Sequence, residues 1–388
     1  MSHPILNYLL FTLASFMTVL LTLSYWYMRK DATIAQLSNA NPPLASAATA
    51  GPEMEVVLTI LRGVRKAVRS VPRRQKLQAV RQQMDAMFAT RTLDAWFRPA
   101  DAAGVPAQWV QAPGSDENRR LLYLHGGAFY AGSATSHRTI TSKLSALTGC
   151  AVLAINYRLL PEHSRMDGIA DTRAAYQWML NNGPGENFRN TSAHTVFAAG
   201  DSAGGNLTLA LLLWLRDQGL RVPDAAVALS PVTDLCLNSP SLRSNQKSDW
   251  ILGPIFQYLL KVPSPLRLWL SVYKTRMLPK NPLVSSLHGD LSGLPPVLIH
   301  ASASEVLLDD ARRFANKALA AGSPVTLQTW ANMPHVWHIF NPELPQAEQA
   351  FTEIALFLQR HGPRRGQSQR PPQQTVAGTA HAPVSATP

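Results

Sequence analysis

The sequence predicts an α/β fold: a mostly parallel central sheet with helices on both faces. Two observations carry that expectation. Over residues 105–361, short apolar runs of strand length alternate with longer helix-like runs, the order that generates parallel sheets buried on both faces. Within it, residues 194–216 pass from an apolar run into a Leu- and Ala-rich helix-like run through Gly200-Asp201-Ser202-Ala203-Gly204. A sharp strand-to-helix turn of this kind needs glycine where neighbouring backbone passes closely, and it pushes the central serine into a strained, exposed position. A 388-residue chain with 46% hydrophobic residues can bury one large core with additions.

Residues 1–28 contain no Lys, Arg, Asp or Glu, and residues 5–27 are mostly Leu, Phe, Thr and Tyr, enough to span a bilayer core of about 30 Å. Tyr25, Trp26 and Tyr27 would sit at the interface before Arg29 and Lys30. A single membrane anchor over 1–28 is expected. A cleaved signal peptide fits less well, because no basic segment precedes the apolar run and the Ala45-Ser46-Ala47 site lies far beyond it. Positive charge follows the span, so the positive-inside rule favours a cytoplasmic location for the domain behind it.

Residues 29–52, rich in Ala, Ser, Asn and Pro, are expected to be a linker. Val57, Ile60, Leu61, Val64 and Val68 then recur at helical spacing with Arg62, Arg65, Lys66 and Arg69 largely between them, a helix that either lies on a membrane or packs on the core. The expected order continues with an edge strand at 108–111, a turn at 114–118 and a strand at 120–125 that runs into His125-Gly126-Gly127. Next come a helix near 136–148, a strand at 151–157, a helix near 171–181 and the turn at Ser202. A strand at 225–229, an irregular segment to about 283, a strand at 297–301, a helix at 306–321, a strand at 325–330 and a helix at 346–360 follow. Residues 362–388, rich in Pro, Gln, Ala and Thr with no apolar period, are expected to be disordered.

The net charge of +12 is uneven, with ten Lys or Arg against two Asp between Arg62 and Arg98. Beside so apolar an N-terminus that cluster points to anionic lipid. No aromatic-interleaved basic motif or zinc-finger spacing supports nucleic acid as a partner. Cys150 and Cys236 each adjoin an apolar run and are expected to be reduced core residues; they form neither a disulfide framework nor a metal spacing. No cofactor or metal is expected, and the sequence does not indicate an oligomeric state.

A serine nucleophile needs a base, and the base an orienting acid; behind a turn of this type they follow in the order Ser, acid, His. Of the histidines after Ser202, His361 and His381 fall at or in the tail, His300 sits inside a strand, and His288 precedes an exposed-looking Gly-Asp turn. His335 lies in a loop just past the last strand's carboxyl end, where a base belongs; His338 is the local rival, but a metal pair of the two has no third ligand in view. Glu305 leaves the carboxyl end of the preceding strand and is the expected acid, whereas Asp309 and Asp310 are expected on a solvated helix face or as complements to its dipole. Gly126, Gly127 and the N–H of Ala203 are the expected oxyanion donors. Asn190 and Asn206 begin N-x-S/T sequons, but Asn206 is expected to be inaccessible in the helix after the turn.

His125-Gly126-Gly127-Ala128, Tyr157 to His163 (YRLLPEH), Gly200 to Asn206 (GDSAGGN), Ser230 to Leu235 (SPVTDL) and His335-Val336-Trp337 together resemble the hormone-sensitive lipase-like branch of the α/β-hydrolases, over about residues 105–359. The resemblance implies a carboxylic ester hydrolase for short to medium acyl esters, working without cofactor, with a helical cap formed by residues 53–104 and an insertion at about 236–280. The anchored arrangement is similar to the arylacetamide deacetylases of the same branch. Ala128 replaces the third glycine of many members, and Glu305 stands where many have Asp, as in a bacterial subgroup. Asp171 and Asp234 match family positions of structural rather than catalytic character. Amide deacetylation by the same machinery is the alternative. A non-catalytic small-molecule receptor, in which the base histidine is replaced, fits less well because His335 is retained.

Overall fold

A computed structural model describes residues 4–29, 31–38, 44–46, 51–185 and 190–362. Its strands are β1 (Leu44–Ser46), β2 (Trp96–Asp101), β3 (Pro106–Gln111), β4 (Asp116–Leu124), β5 (Cys150–Ile155), β6 (Thr195–Asp201), β7 (Ala225–Leu229), β8 (Val297–Ser302) and β9 (Val325–Trp330). Its helices are α1 (Pro4–Met28), α2 (Ala32–Gln36), α3 (Glu53–Arg69), α4 (Lys76–Ala86), α5 (Arg138–Thr148), α6 (Arg165–Asn181), α7 (Ala203–Asp217), α8 (Ser241–Ser244), α9 (Gly253–Leu259), α10 (Ser264–Thr275), α11 (Leu308–Ala320) and α12 (Pro345–His361). The expected tail lies outside the described residues beyond Gly362.

The strands form one sheet in the order β1-β9-β8-β7-β6-β4-β5-β3-β2, parallel except where β3 pairs with β2 and β5. Every residue of β5, β6, β7 and β8 is buried, because helices cover both faces; such strands are continuous apolar runs rather than alternating ones. On one face Leu122, Leu153 and Val196 pack with Tyr176, Leu207 and Leu211; on the other Leu121, Val152 and Phe197 pack with Ile140, Leu144, Phe351 and Ile354. The parallel strands thus point their carboxyl ends to one edge, where loops can converge.

Three expectations need correction. The strand at 108–111 is not an edge: β2 pairs outside it, in a stretch expected to be helical. None of the β2 residues is buried, so no apolar alternation marks it, and Pro99 suits an edge position. The 29–52 linker is partly structured. Asp31 caps α2 by accepting the Thr33 N–H, Arg313 Nε and Asn316 Nδ2 of α11 bind Ser38 Oγ and the Leu37 carbonyl, and β1 adds a parallel strand to β9. Elements of five and three residues have too little local propensity to be legible, and tertiary contacts hold them. Finally, Asp309 and Asp310 are buried rather than solvated: Asp310 accepts the N–H groups of Thr233 and Asp234, and Asp309 that of Ser241. The first turn of α11 thereby fixes the chain leaving β7.

Of the two readings of the 53–71 helix, core packing holds for the start of α3, where Met54 and Val57 are buried against Trp330, Met333 and Trp337. Among the described residues, α1 is the helix long and apolar enough to cross a membrane. Cys150 and Cys236 are buried and form no disulfide.

Candidate active site

Three carboxyl-terminal strand ends build the site. At the end of β6 the chain turns through Ser202, whose φ of 53° and ψ of −113° lie where a side chain is strained, and enters α7 at once. Glycine is required at 204 because a Cβ there would run into the Leu124 carbonyl of β4. That contact lets α7 begin directly under the turn and aims Ser202 away from the sheet.

The loop after β8 carries Glu305, fully buried, with Oε1 accepting the Ser302 N–H at 2.8 Å. The loop after β9 carries His335. Ser302 Oγ donates to the Met333 carbonyl at 2.6 Å, so the two loops are tied together. His335 Nδ1 lies 2.5 Å from Glu305 Oε2, and His335 Nε2 lies 2.9 Å from Ser202 Oγ. With Nδ1–H donating to the carboxylate, Nε2 is left as an acceptor for the serine hydroxyl. The structure thus brings Ser202, Glu305 and His335 into one hydrogen-bonded line.

Burial disfavours the imidazolium of His335, but the hydrogen bond and charge of Glu305 outweigh it, with Asp249 and Asp201 adding, and hold its pKa above the ordinary histidine value. The rival histidines are elsewhere. His338 Nε2 lies 3.0 Å from His300 Nδ1 in a stack with Trp337; burial pushes the pKa of His300 down to about 4 and that of His338 well below its usual value, so both are neutral. His288 is half-buried and lies 3.2 Å from Asp234 Oδ1, away from the serine turn.

The glycine loop after β4 meets the turn at Ser202. Gly126 donates its N–H to Asp201 Oδ1 at 3.0 Å, and Tyr123 Oη donates to the same oxygen at 2.6 Å. The Gly126 N–H is therefore already committed. Among the described residues, the N–H groups of Gly127, Ala128 and Ala203 have no hydrogen-bond partner. Gly127 holds φ at 119°, a region closed to other residues without strain.

Sequence reasoning did not single out Asp201, Asp249 or Arg165. Asp201 is buried beside His137, whose charge and hydrogen bond hold the carboxyl pKa low although burial pushes it up. Asp249, from the segment expected as cap insertion, accepts the Val306 N–H at 2.9 Å beside Glu305. Arg165 covers the Phe129 ring and donates to Asn206 Oδ1 at 3.0 Å. Asn206 itself is fully buried and gives its amide to the Val232 and Val284 carbonyls, as its expected inaccessibility requires. Asp171 accepts the backbone and guanidinium of Arg158. No signal in the local sequence marks Asp201, Asp249 or Arg165, since each is defined by partners 40 or more residues away.

This sheet, with a serine on a strained turn and a histidine and carboxylate behind the last two strands, defines an α/β-hydrolase. A family profile described as an alpha/beta hydrolase fold matches residues 121–339, and the chain belongs to that family, among the hormone-sensitive-lipase-like esterases. It is 41% identical over 254 residues to an acetyl-hydrolase of Streptomyces hygroscopicus, covering 65% of this chain and 79% of that one. With an esterase of Acinetobacter venetianus it shares 35% identity over 262 residues, 67% of this chain and 81% of the other. A solved esterase of the bacterial hormone-sensitive lipase family superposes with a TM-score of 0.68 at 34% identity, over 81% of this chain and 99% of that one. The protein is a carboxylic ester hydrolase.

Proposed function

We propose that the protein is a membrane-anchored serine carboxylesterase that cleaves short to medium acyl esters through a Ser202-Glu305-His335 triad. The observation that carries the triad is the unbroken line from Ser202 Oγ through the His335 ring to Glu305. His335 Nε2 takes the hydroxyl proton as Ser202 Oγ attacks the ester carbonyl, and Glu305 orients the ring and stabilises the imidazolium. The oxyanion is received by N–H groups of Gly127 and Ala203, with that of Ala128 also free to donate. Gly126, expected as a donor, serves instead to anchor the loop through Asp201. Collapse returns the proton from Nε2 to the leaving alkoxide and leaves an acyl-Ser202 ester. Water, deprotonated by His335, attacks that ester, and the acid departs as Ser202 regains its proton.

The acyl range rests on the acetyl-hydrolase and esterase relatives. The anchor rests on the length and composition of α1, its cytoplasmic sidedness on the charges behind the span, and a supporting role for residues 62–98 on their basic excess. The test is hydrolysis of p-nitrophenyl esters of increasing acyl length by detergent-solubilised full chain and by Ser202→Ala. Activity greatest on short chains, and lost by about 10⁴-fold or more in the variant, is expected. Folded protein inactive on every ester, or a variant as active as the parent, would overturn the assignment.

A further inference from the structure

The last turn of α1 is bound to the body of the protein. Ser24 and Met28 are buried; Trp269 Nε1 of α10 donates to Ser24 Oγ at 3.0 Å, Asn238 Nδ2 to the Met28 carbonyl at 3.0 Å, and the Lys280 N–H to Tyr27 Oη at 2.9 Å. Met28 packs against Leu268 and Cys236. Upstream, the helix from Leu10 to Leu23 is exposed apart from a half-buried Leu20. From Pro4 to Leu23 the helix rises about 30 Å, the thickness of a hydrocarbon core. A helix that crosses the bilayer over that length has no spacer left, so the surface around Trp269 must lie against the membrane.

That surface is built for such a place. On α10, Leu266, Trp269, Leu270 and Tyr273 are all exposed and follow the spacing i, i+3, i+4, i+7, which puts them on one stripe; Tyr273 is 71% exposed. Ile255 and Tyr258 of the neighbouring α9 are exposed too. Between residues 247 and 280 the sole acidic side chain is Asp249, which is buried, while Lys261, Lys274 and Arg276 are exposed. Tryptophan, tyrosine and lysine around aliphatic side chains, without carboxylates, suit the headgroup layer of an anionic bilayer.

The same two helices also pack against the enzyme near the glycine loop. Phe256 of α9 packs on the core cluster that contains Phe129 and Ala203, and Lys274 of α10 stands over the Tyr130 ring, three residues past Gly127. We propose that α9 and α10 seat the enzyme flush on the bilayer and that its substrate is a membrane-borne ester whose acyl chain reaches Ser202 from the lipid phase past α10. This rests on the anchor and triad readings above.

The test uses the full chain in vesicles of phosphatidylcholine and phosphatidylglycerol, labelled with an environment-sensitive fluorophore at Leu270→Cys or, separately, at Phe16→Cys; Cys150 and Cys236 are buried. Quenching of both probes by nitroxide-labelled lipid is expected. Quenching at 16 without quenching at 270 overturns the seating and leaves the anchor standing; quenching at neither removes the anchor and the proposal with it. The route is tested by the double variant Leu270→Asp, Tyr273→Asp. Its turnover of a medium-chain p-nitrophenyl ester dissolved in the vesicles should fall at least about tenfold, with hydrolysis of p-nitrophenyl acetate in solution unchanged. Equal losses on both esters, or no loss on either, would overturn it.

Discussion

Asp201 and Gly126 are joined by a hydrogen bond of 3.0 Å between the aspartate Oδ1 and the glycine N–H, which couples the residue before the serine to the loop that faces it. A Cβ at Gly126 would fall on the Asp201 carboxylate, so the pair fits only as glycine and a short acid. The residue before the serine thereby sets the position of the Gly127 N–H, one residue further on. Tyr123 donates to the same Oδ1 and His137 Nε2 lies 3.4 Å from Oδ2, so the two fix Asp201 in turn.

Asp201→Ala should therefore lower kcat by about 100-fold with KM little changed, because a small displacement of an oxyanion donor acts on the transition state alone. It should also destabilise the fold by about 2 kcal/mol, since it leaves the buried Tyr123 hydroxyl without its acceptor. Asp201→Asn, which keeps an oxygen for Gly126, should recover part of kcat. Steady-state kinetics beside urea unfolding of the three proteins measures both; an unchanged kcat in the alanine variant would show that the loop holds without Asp201.

Ser202→Gly should raise stability by about 1 kcal/mol while abolishing activity. The serine pays for its exposure with φ of 53° and ψ of −113°, and glycine enters such regions without the Cβ penalty. Ser202→Ala, which keeps the Cβ, should lose activity without that gain. Thermal unfolding of the two variants separates backbone strain from loss of the hydroxyl.

The meeting of Ser202, Glu305 and His335 was legible because it depends on chain order and strand ends: each lies in a short stretch just past an apolar run, and a loop leaving the carboxyl edge has few residues to choose among. Asp201 carried no such mark, since a carboxylate beside the serine acquires meaning only when Tyr123 and Gly126 arrive from β4 and its loop. Asp309 and Asp310 misled because an acidic first turn is the usual solvated pattern, and only the chain from Thr233 to Ser241, packed against α11, turns it inward. β2 was hidden by its lack of a buried face, and β1 by its brevity.

Hydrolysis should fall in acid with a midpoint above the ordinary histidine value. The base must be neutral to take the serine proton, and Glu305 holds the imidazolium of His335 favoured against the burial that opposes it. Glu305→Gln removes the charge and should move the acid limb to lower pH while cutting kcat by about 10³- to 10⁴-fold. A pH profile of kcat/KM for both proteins decides the matter; a limb at the same pH in the variant would show that Glu305 does not set the base.

Asp310 should make the fold less stable as pH rises through the acid range. Burial first, and the neighbouring Asp234 charge second, push its pKa up to about 7, although Ser239 and the Thr233 and Asp234 N–H groups favour the charged form. A carboxyl of ordinary pKa about 4 in the unfolded chain then binds fewer protons unfolded than folded between about pH 4 and 7, so unfolding becomes easier across that window as pH increases. Asp310→Asn keeps an oxygen for the two backbone donors and carries no charge. It should flatten the dependence of unfolding free energy on pH between about pH 4 and 7 and leave the variant the more stable protein at pH 8. Urea midpoints at three pH values measure this; a parent whose stability rises over that window in parallel with the variant's would show that Asp310 is ionised in the fold.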